Sequence, residues 1–403
     1  MTATAPMRAT TRLLSDVSDA VIDLNDVAAS DGHLFVRDGV GLAGRGVARR
    51  VSIDDAVDVL ATIDHDSSVD GVAPVALGSI PFLPGAPGEL IIPDVTVGKR
   101  SDGTVWVTSI DDADVATVLA PPPEVRATAS NYSLGSATPT AVYLDAVTAA
   151  RDAVRTGELT KAVIARPITV TADRPIDVHA VLRRLKASFG SSYRYSIDGF
   201  IGASPELLVQ VEGPVVRSHP LAGTTRRTGD VDNDHALAAE LQASSKNQME
   251  HRIVIDVVHD TLLPWASYLD WEPEPSVVSV ANVQHLGTRM EGVLSQPGPT
   301  VIELARALSP TPALGGHPRN EALALIEQVE GFERGRYGGA VGWVDARGDG
   351  TWAVAIRCAE FATDRMSARL VAGGGIVADS EPLAELAETQ AKFQAMLSAI
   401  VRP

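Results

Sequence analysis

Apolar and polar residues alternate in short runs over the first third of the chain, and glycine and proline interrupt them repeatedly. Stretches such as GVGLAGRGV (Gly39 to Val47) and VAPVALGSIPFLPGAPG (Val72 to Gly88) predict strands joined by loops up to about residue 125. The Pro-rich step from Ala120 to Val125 forbids helix and marks a candidate boundary. A helix is expected from about Pro139 to Gly157, then strand-like alternation in KAVIARPITV from Lys161, then a hairpin-like stretch from Tyr193 to Gly223. The pattern next predicts a helix from about His235 to Leu263 and strands from about Gly338 to Glu360. The segment from about Glu381 to Ile400 has the marks of a helix: Ser380 can cap it, Pro382 suits its first turn, and Leu386, Phe393, Leu397 and Ile400 form one stripe. Strands and helices interleave without a regular βαβ rhythm, which favours an α/β (α+β) protein with a mixed or antiparallel sheet flanked by helices.

Composition narrows this picture. The chain has 403 residues, 45% of them hydrophobic and 21% charged, as expected of a folded protein with a large core. Length alone allows two or three domains or one large one. A net charge of −17 argues against a nucleic-acid partner and against an acidic membrane. A small anionic substrate stays compatible, because one or two arginines or a divalent cation can override the global field. Cys358 is the single cysteine, so no intrachain disulfide can form and a reducing compartment fits. MTATAPMRATTRLL lacks the apolar core of a signal peptide, and no apolar run approaches a membrane span, so a soluble cytoplasmic protein is expected.

Few residues point to chemistry when taken singly. GLAGRG (Gly41 to Gly46) and AGGGIV (Ala372 to Val377) lack the spacing of phosphate loops and read as turns or close backbone contacts. Glu250 shares a helix face with Ile253, Val254, Val257 and Val258, so it either binds a cation or partner in the core or reaches solvent at the helix edge. Glu385, Glu388 and Lys392 lie opposite the apolar stripe of the last helix, the pattern of a solvated face with an i, i+4 ion pair. Lys161 alternates with Val163 and Ala165, as a buried base or as a lysine snorkelling from a strand end. Glu206 alone reads as a solvated turn residue. Arg357, alternating with Ala353 and Ala355 in TWAVAIRCAEF, should point inward toward a structural carboxylate or a bound anion.

In combination these segments resemble the chorismate-utilising enzymes, which include isochorismate synthase, salicylate synthase and the large subunits of anthranilate and aminodeoxychorismate synthase. The resemblance covers roughly residues 130 to 403. It rests on KAVIAR at Lys161, GASPELL at Gly202, SHPLAGTTRR at Ser218, KNQMEH at Lys246, VQHLGTRM at Val283 and PTPALGG at Pro310. GFERGRYGGAVGW at Gly331, VAIRCA at Val354, AGGGIV at Ala372 and ELAETQAK at Glu385 complete the ordered set.

The resemblance implies one large domain over residues 1–403, with a variable part at 1–125 and the chorismate-binding core at 126–403. Its fold would be two packed, mainly antiparallel sheets flanked by helices. Glu250 and Glu388 are implied as Mg²⁺ ligands, with Glu385 close by or bound through water. Lys161 corresponds to the base that activates water for attack at C2 of chorismate, and Glu206 to the acid that protonates the departing C4 hydroxyl. Those roles need a neutral amine and a protonated carboxyl. Arg357, with the backbone at Gly373, Gly374 and Gly375, is implied to hold a substrate carboxylate. Gly223, Thr224, His285, Ala313, Leu314, Tyr337 and Lys392 are implied to line the substrate pocket.

Within the family, Lys161 favours water as nucleophile over the anthranilate branch. Ala313, where salicylate synthases carry Thr, favours stopping at isochorismate, for menaquinone or catechol siderophore biosynthesis. Salicylate synthase and the aminodeoxychorismate and anthranilate synthases are the alternatives. A monomer with no amidotransferase subunit is implied. Two departures from the family pattern stand out: Asn247 replaces a frequent Asp or Glu, and Gly374 a frequent Ala.

Overall fold

A computed structural model describes residues 7–122, 131–136, 138–280 and 283–402. Among these residues the strands form a thirteen-stranded sheet, a nine-stranded sheet and a three-stranded sheet. All strand pairs are antiparallel except Arg8–Leu13 with Asp64–Ser67. The mixed α/β class with antiparallel sheets is as the hydrophobic pattern and the resemblance imply, while the small third sheet is an addition. Strands from before residue 111 enter both large sheets: His33–Arg37 pairs with Tyr193–Ile197, and Val75–Ile80 with Ala340–Asp345.

Alternation along the strands distributes side chains between two cores. In His33–Arg37, Phe35 joins the core between the large sheets, while Leu34 and Val36 join the core under the helices. Lys161–Ala172 follows the same rule. Ala162 and Ile164, then Ile168, Val170 and Ala172, face the helices, and Ala165 faces the inter-sheet core. The helices Thr140–Arg155, Val178–Phe189 and Pro382–Val401 cover the outer face of the larger sheet, and Ala56–Ala61 and Val301–Leu308 pack on the smaller one. No helix among the described residues is long and apolar enough to cross a membrane.

Several local expectations are revised. The helix expected from His235 to Leu263 is two helices, Val231–Ala243 and Ser245–Leu262. Ser244 breaks the run in an extended conformation and caps the second helix through the Asn247 N–H. The hairpin-like stretch from Tyr193 to Gly223 distributes its strands over all three sheets. Ser380 does not cap the terminal helix: Glu381 is the N-cap residue, and the Ser380 hydroxyl donates to Glu385 instead. Of the Pro-rich step, Ala120 to Pro122 follow the short helix Val115–Leu119, and residues 123–125 lie outside the described residues.

Close approach of the strands depends on Gly202, which faces the buried Tyr195. A Cβ at residue 202 would meet the Tyr195 hydroxyl at 2.4 Å and Cys358 Cβ at 2.9 Å. Gly202→Ala should therefore destabilise the protein by about 1–3 kcal/mol through overpacking. A thermal midpoint within about 1 °C of wild type would contradict that packing.

Candidate active site

The site forms where the chain passes from one sheet to the other. Phe200–Ser204 belongs to the larger sheet and Leu207–Glu212 to the smaller, leaving Pro205 and Glu206 at the crossing. Gly350–Val354 and Cys358–Phe361 make the reverse passage, with Ala355, Ile356 and Arg357 between them. The expected single strand TWAVAIRCAEF is thus two strands in different sheets, and Arg357 lies at their junction. The two crossings run side by side: Ala203 N–H donates to the Arg357 carbonyl and Val354 N–H to the Glu206 carbonyl, each at 3.1 Å. Arg357 has a φ of 52°, a left-handed conformation that costs a residue with a side chain about 1–3 kcal/mol. The Tyr195 hydroxyl supports this backbone by donating to the Ile356 carbonyl at 3.2 Å.

A cavity of about 290 Å³ opens beside the crossings and gathers the residues named from sequence. Lys161 reaches it from the start of its strand, and Gly373 and Gly375 from the paired strand Ser367–Ile376. Gly223, Thr224 and His285 come from the three-stranded sheet. Ala313 and Leu314 come from the loop after Val301–Leu308, and Tyr337 from the turn before Ala340–Asp345. Glu250 enters on the helix Ser245–Leu262, and Glu385, Glu388 and Lys392 enter on the terminal helix.

Gly374 is not part of the wall, but a Cβ there would lie 2.8 Å from Glu385 Oε2 and 3.7 Å from Glu388 Oε1. Gly375 is held to glycine more strictly, since a Cβ would come within 2.8 Å of Lys161 Cε and 3.0 Å of Glu250 Oε1. Sequence reasoning missed Lys246, Leu221, Ala222, Pro205 and Ile356 as lining residues. Each lies inside or next to a quoted motif, so adjacency was the available signal.

Burial changes the character of these charges. Lys161 is 1% exposed and donates to Glu250 Oε1 at 2.6 Å, so it does not snorkel to solvent. Burial alone would raise the Glu250 carboxyl, but the Lys161 ammonium outweighs it and holds the group below the usual glutamate range. On the terminal helix, the face expected to be solvated lines the cavity; the expected Glu388–Lys392 pair forms on it, with the Glu388 side chain still 41% exposed. Glu385 is 8% exposed; burial raises its carboxyl, Ser380 donates to Oε1 at 2.8 Å, and Oε2 has no partner. Lys392 bridges Glu388 Oε1 at 2.7 Å and the Gly373 carbonyl at 2.8 Å, and its charge holds Glu388 low.

Glu206 is 3% exposed and has only a long contact, 3.4 Å, from the Leu221 N–H. Burial therefore pushes its carboxyl up to about 8, and it is protonated at neutral pH. His285 is buried and held down to about 3, so its ring is neutral, with Nδ1 near Thr224 Oγ1 (3.0 Å) and the Gly223 carbonyl (3.3 Å). The Arg357 guanidinium makes no ion pair among the described residues. Of the two readings open from sequence, a structural carboxylate is thus not what it meets.

Glu250, Glu385 and Glu388 bring to one cavity the carboxylate oxygens that a hard divalent cation prefers. Glu250, Glu385 and Glu388 converge on the Gly374–Gly375 backbone, and Glu385 Oε2 is a buried oxygen without a partner. Among the described residues no group of three or more His, Cys, Asp or Glu side chains is placed to hold a metal ion by itself. Mg²⁺ does not require one, since it keeps waters and combines one or two carboxylates with oxygens of the substrate.

This arrangement, a protonated carboxyl and a buried amine on one cavity with an unpaired guanidinium, defines an enzyme site for a small anion. The family model described as chorismate binding enzyme matches residues 95–401, and the chain belongs to that family. It is 41% identical over 343 residues to a Mycobacterium tuberculosis protein provisionally named isochorismate synthase MenF, covering 82% of this chain and 87% of that one. It is 34% identical over 346 residues to isochorismate synthase EntC of Escherichia coli, covering 84% of both chains. A crystal structure from Bacillus anthracis, provisionally named 2,3-dihydroxybenzoate-specific isochorismate synthase DhbC, superposes with a TM-score of 0.77 at 32% identity. That match covers 93% of this chain and 98% of the other.

The raised Glu206 carboxyl has a signature in stability. Unfolded, the group titrates near the usual glutamate value of 4.5, and folded at about 8, so the native state binds the extra proton between these values. Its contribution is intact below pH 4.5 and is lost as pH climbs to about 8. Glu206→Gln should therefore gain on wild type from pH 5.5 to pH 8.5, by about 3 kcal/mol in total. A stability difference independent of pH would show that the carboxyl is not raised.

Proposed function

We propose that this chain is an isochorismate synthase that converts chorismate to isochorismate with Mg²⁺, acting as one domain over residues 1–403. The observation that carries the reading is the protonated Glu206 on the same cavity as the buried Lys161 amine. A binding module needs no such acid and base facing one ligand. The names of the relatives, MenF and EntC among them, support the same assignment.

In this mechanism Lys161 gives up the proton it holds against Glu250 before turnover and, as the free amine, takes a proton from the water that attacks C2. Glu206 gives its proton to the C4 hydroxyl, which leaves as water while the ring double bonds shift. One water enters and one departs, so the substrate is isomerised, and the proton moved from Glu206 to Lys161 returns through solvent. Arg357, which makes no ion pair among the described residues although Glu388 shares its cavity, holds one substrate carboxylate. Glu250 and Glu388, with Glu385 beside them, would hold the Mg²⁺, which would supply positive charge for the second substrate carboxylate.

Gly223, Thr224, His285, Tyr337, Leu314, Lys392 and the backbone of Gly373 and Gly375 shape the pocket around the ring. Ala313 presents no hydroxyl to the intermediate, in keeping with release of isochorismate before pyruvate is eliminated. The product would feed menaquinone or catechol siderophore biosynthesis, from a cytoplasmic monomer that needs no amidotransferase subunit.

Purified protein incubated with chorismate and Mg²⁺ should yield isochorismate and no pyruvate, as resolved by mass spectrometry. Salicylate with pyruvate would instead assign a salicylate synthase, and bound but unchanged chorismate a binding protein. Lys161→Ala and Glu206→Gln should each reduce kcat by at least roughly a hundredfold while chorismate still binds. Near-normal turnover by either variant would remove the role given to that residue.

A further inference from the structure

The edge of the larger sheet is interrupted beside Lys161. On one side, Lys161–Ala172 pairs with Ser367–Ile376 from Ala162 to Thr171. On the other side, Lys161 and Ala162 pair with Gly316–His317, and Ile168 to Ala172 pair with Tyr132–Ser136. Among the described residues no strand faces Val163 to Pro167 on that side. Backbone polar groups buried at such a place must find partners elsewhere. Pro167 has no N–H to satisfy, and the Val163 N–H donates to the Gly315 carbonyl at 3.0 Å.

Two side chains supply what a neighbouring strand would have given. Ala165 N–H donates to Glu330 Oε1 at 2.7 Å, and Arg334 Nη2 donates to the Val163 carbonyl at 2.7 Å. Arg334 and Glu330 also grip each other, Nε to Oε2 at 2.8 Å and Nη2 to Oε1, with side chains 2% and 1% exposed. Arg334 Nη1 donates to the Leu314 carbonyl at 2.8 Å, and the guanidinium lies 4.2 Å from the centre of the Phe82 ring. One rigid fork therefore ties the strand that carries Lys161 to the loop that carries Ala313 and Leu314. Both walls face the cavity.

A buried ion pair is a costly way to fill space, and well-packed apolar side chains are often at least as stabilising. Apolar side chains could not satisfy the Val163 carbonyl, the Ala165 N–H and the Leu314 carbonyl together. We propose that Arg334 and Glu330 are a positioning pair that substitutes for a missing strand and sets the spacing between Lys161 and the Ala313–Leu314 wall. The substrate ring is thereby held at a fixed distance from the amine. The inference rests on the isochorismate synthase reading for its effect on turnover, but its structural half stands apart from it.

The test compares Arg334→Lys, Glu330→Gln and Glu330→Leu with wild type. A lysine keeps the charge but cannot reach Glu330 and both carbonyls at once. A kcat loss of about tenfold or more is expected for Arg334→Lys, with chorismate KM changed less than about threefold. Glu330→Gln keeps an oxygen for the Ala165 N–H and should retain more of kcat than Glu330→Leu, whatever their relative thermal stabilities. Hydrogen exchange is measured in parallel over residues 161–167 and 310–316, where Arg334→Lys should exchange faster than wild type.

Folded Arg334→Lys with kcat within about twofold of wild type would overturn the positioning role. Unchanged exchange in both segments would overturn the clamp itself, and that result does not depend on the reaction. If wild type makes no isochorismate while Arg334→Lys loosens both segments, the functional reading fails and the clamp survives. Should Arg334→Lys not fold, Glu330→Gln against Glu330→Leu carries the same comparison.

Discussion

The passage of the chain between two packed sheets is the constraint on which the site depends. Two crossings are locked together by main-chain bonds, Ala203 to Arg357 and Val354 to Glu206, so neither can move alone. An acid and a guanidinium come from adjacent crossings and end at one cavity, the acid buried and the guanidinium half-buried. The left-handed backbone at Arg357 is the local cost of this device. The Tyr195 hydroxyl and the closely packed Gly202 keep it in place.

Around the crossings, the chemistry follows from how each charge is compensated. Lys161 has Glu250 and Arg334 has Glu330, so each of these can be withdrawn from water, whereas Glu388 pairs with Lys392 while its side chain stays 41% exposed. Glu206 has no such partner and responds by keeping its proton. Arg357 cannot surrender its charge and is left facing the cavity. The difference between a structural pair and a reactive group is here the presence or absence of a counter-charge within reach. Identical side chains thus behave differently: Glu330 is locked in the scaffold, whereas Glu206 is available to exchange a proton.

Legibility in the sequence differed by the range of the interactions involved. The helices Thr140–Arg155 and Pro382–Val401 and the strand Lys161–Ala172 were visible because their periodicity is local. The face of Glu385 and Glu388 was misread by periodicity alone, since a polar stripe facing a cavity has the same spacing as one facing solvent. Only the ordered motifs around them implied a site. Ser244 interrupts an otherwise continuous helical pattern, and the pattern gave no weight to a single extended residue. The split of TWAVAIRCAEF between two sheets was invisible for a related reason: both halves are apolar and strand-forming, and the turn at Arg357 is imposed by the neighbouring crossing rather than by its own residues.

The register Ile164 to Gly374, and the pairing of Lys161 with Glu250, join segments that are remote along the chain. Contacts of that kind carry a high loop-closure cost and form slowly during folding. Compaction and helix formation can therefore run ahead of the cavity, whose buried amine has no counter-charge until Ser245–Leu262 docks. Refolding followed by ellipticity and refolding followed by recovered function would then trace different time courses, with competence the later of the two.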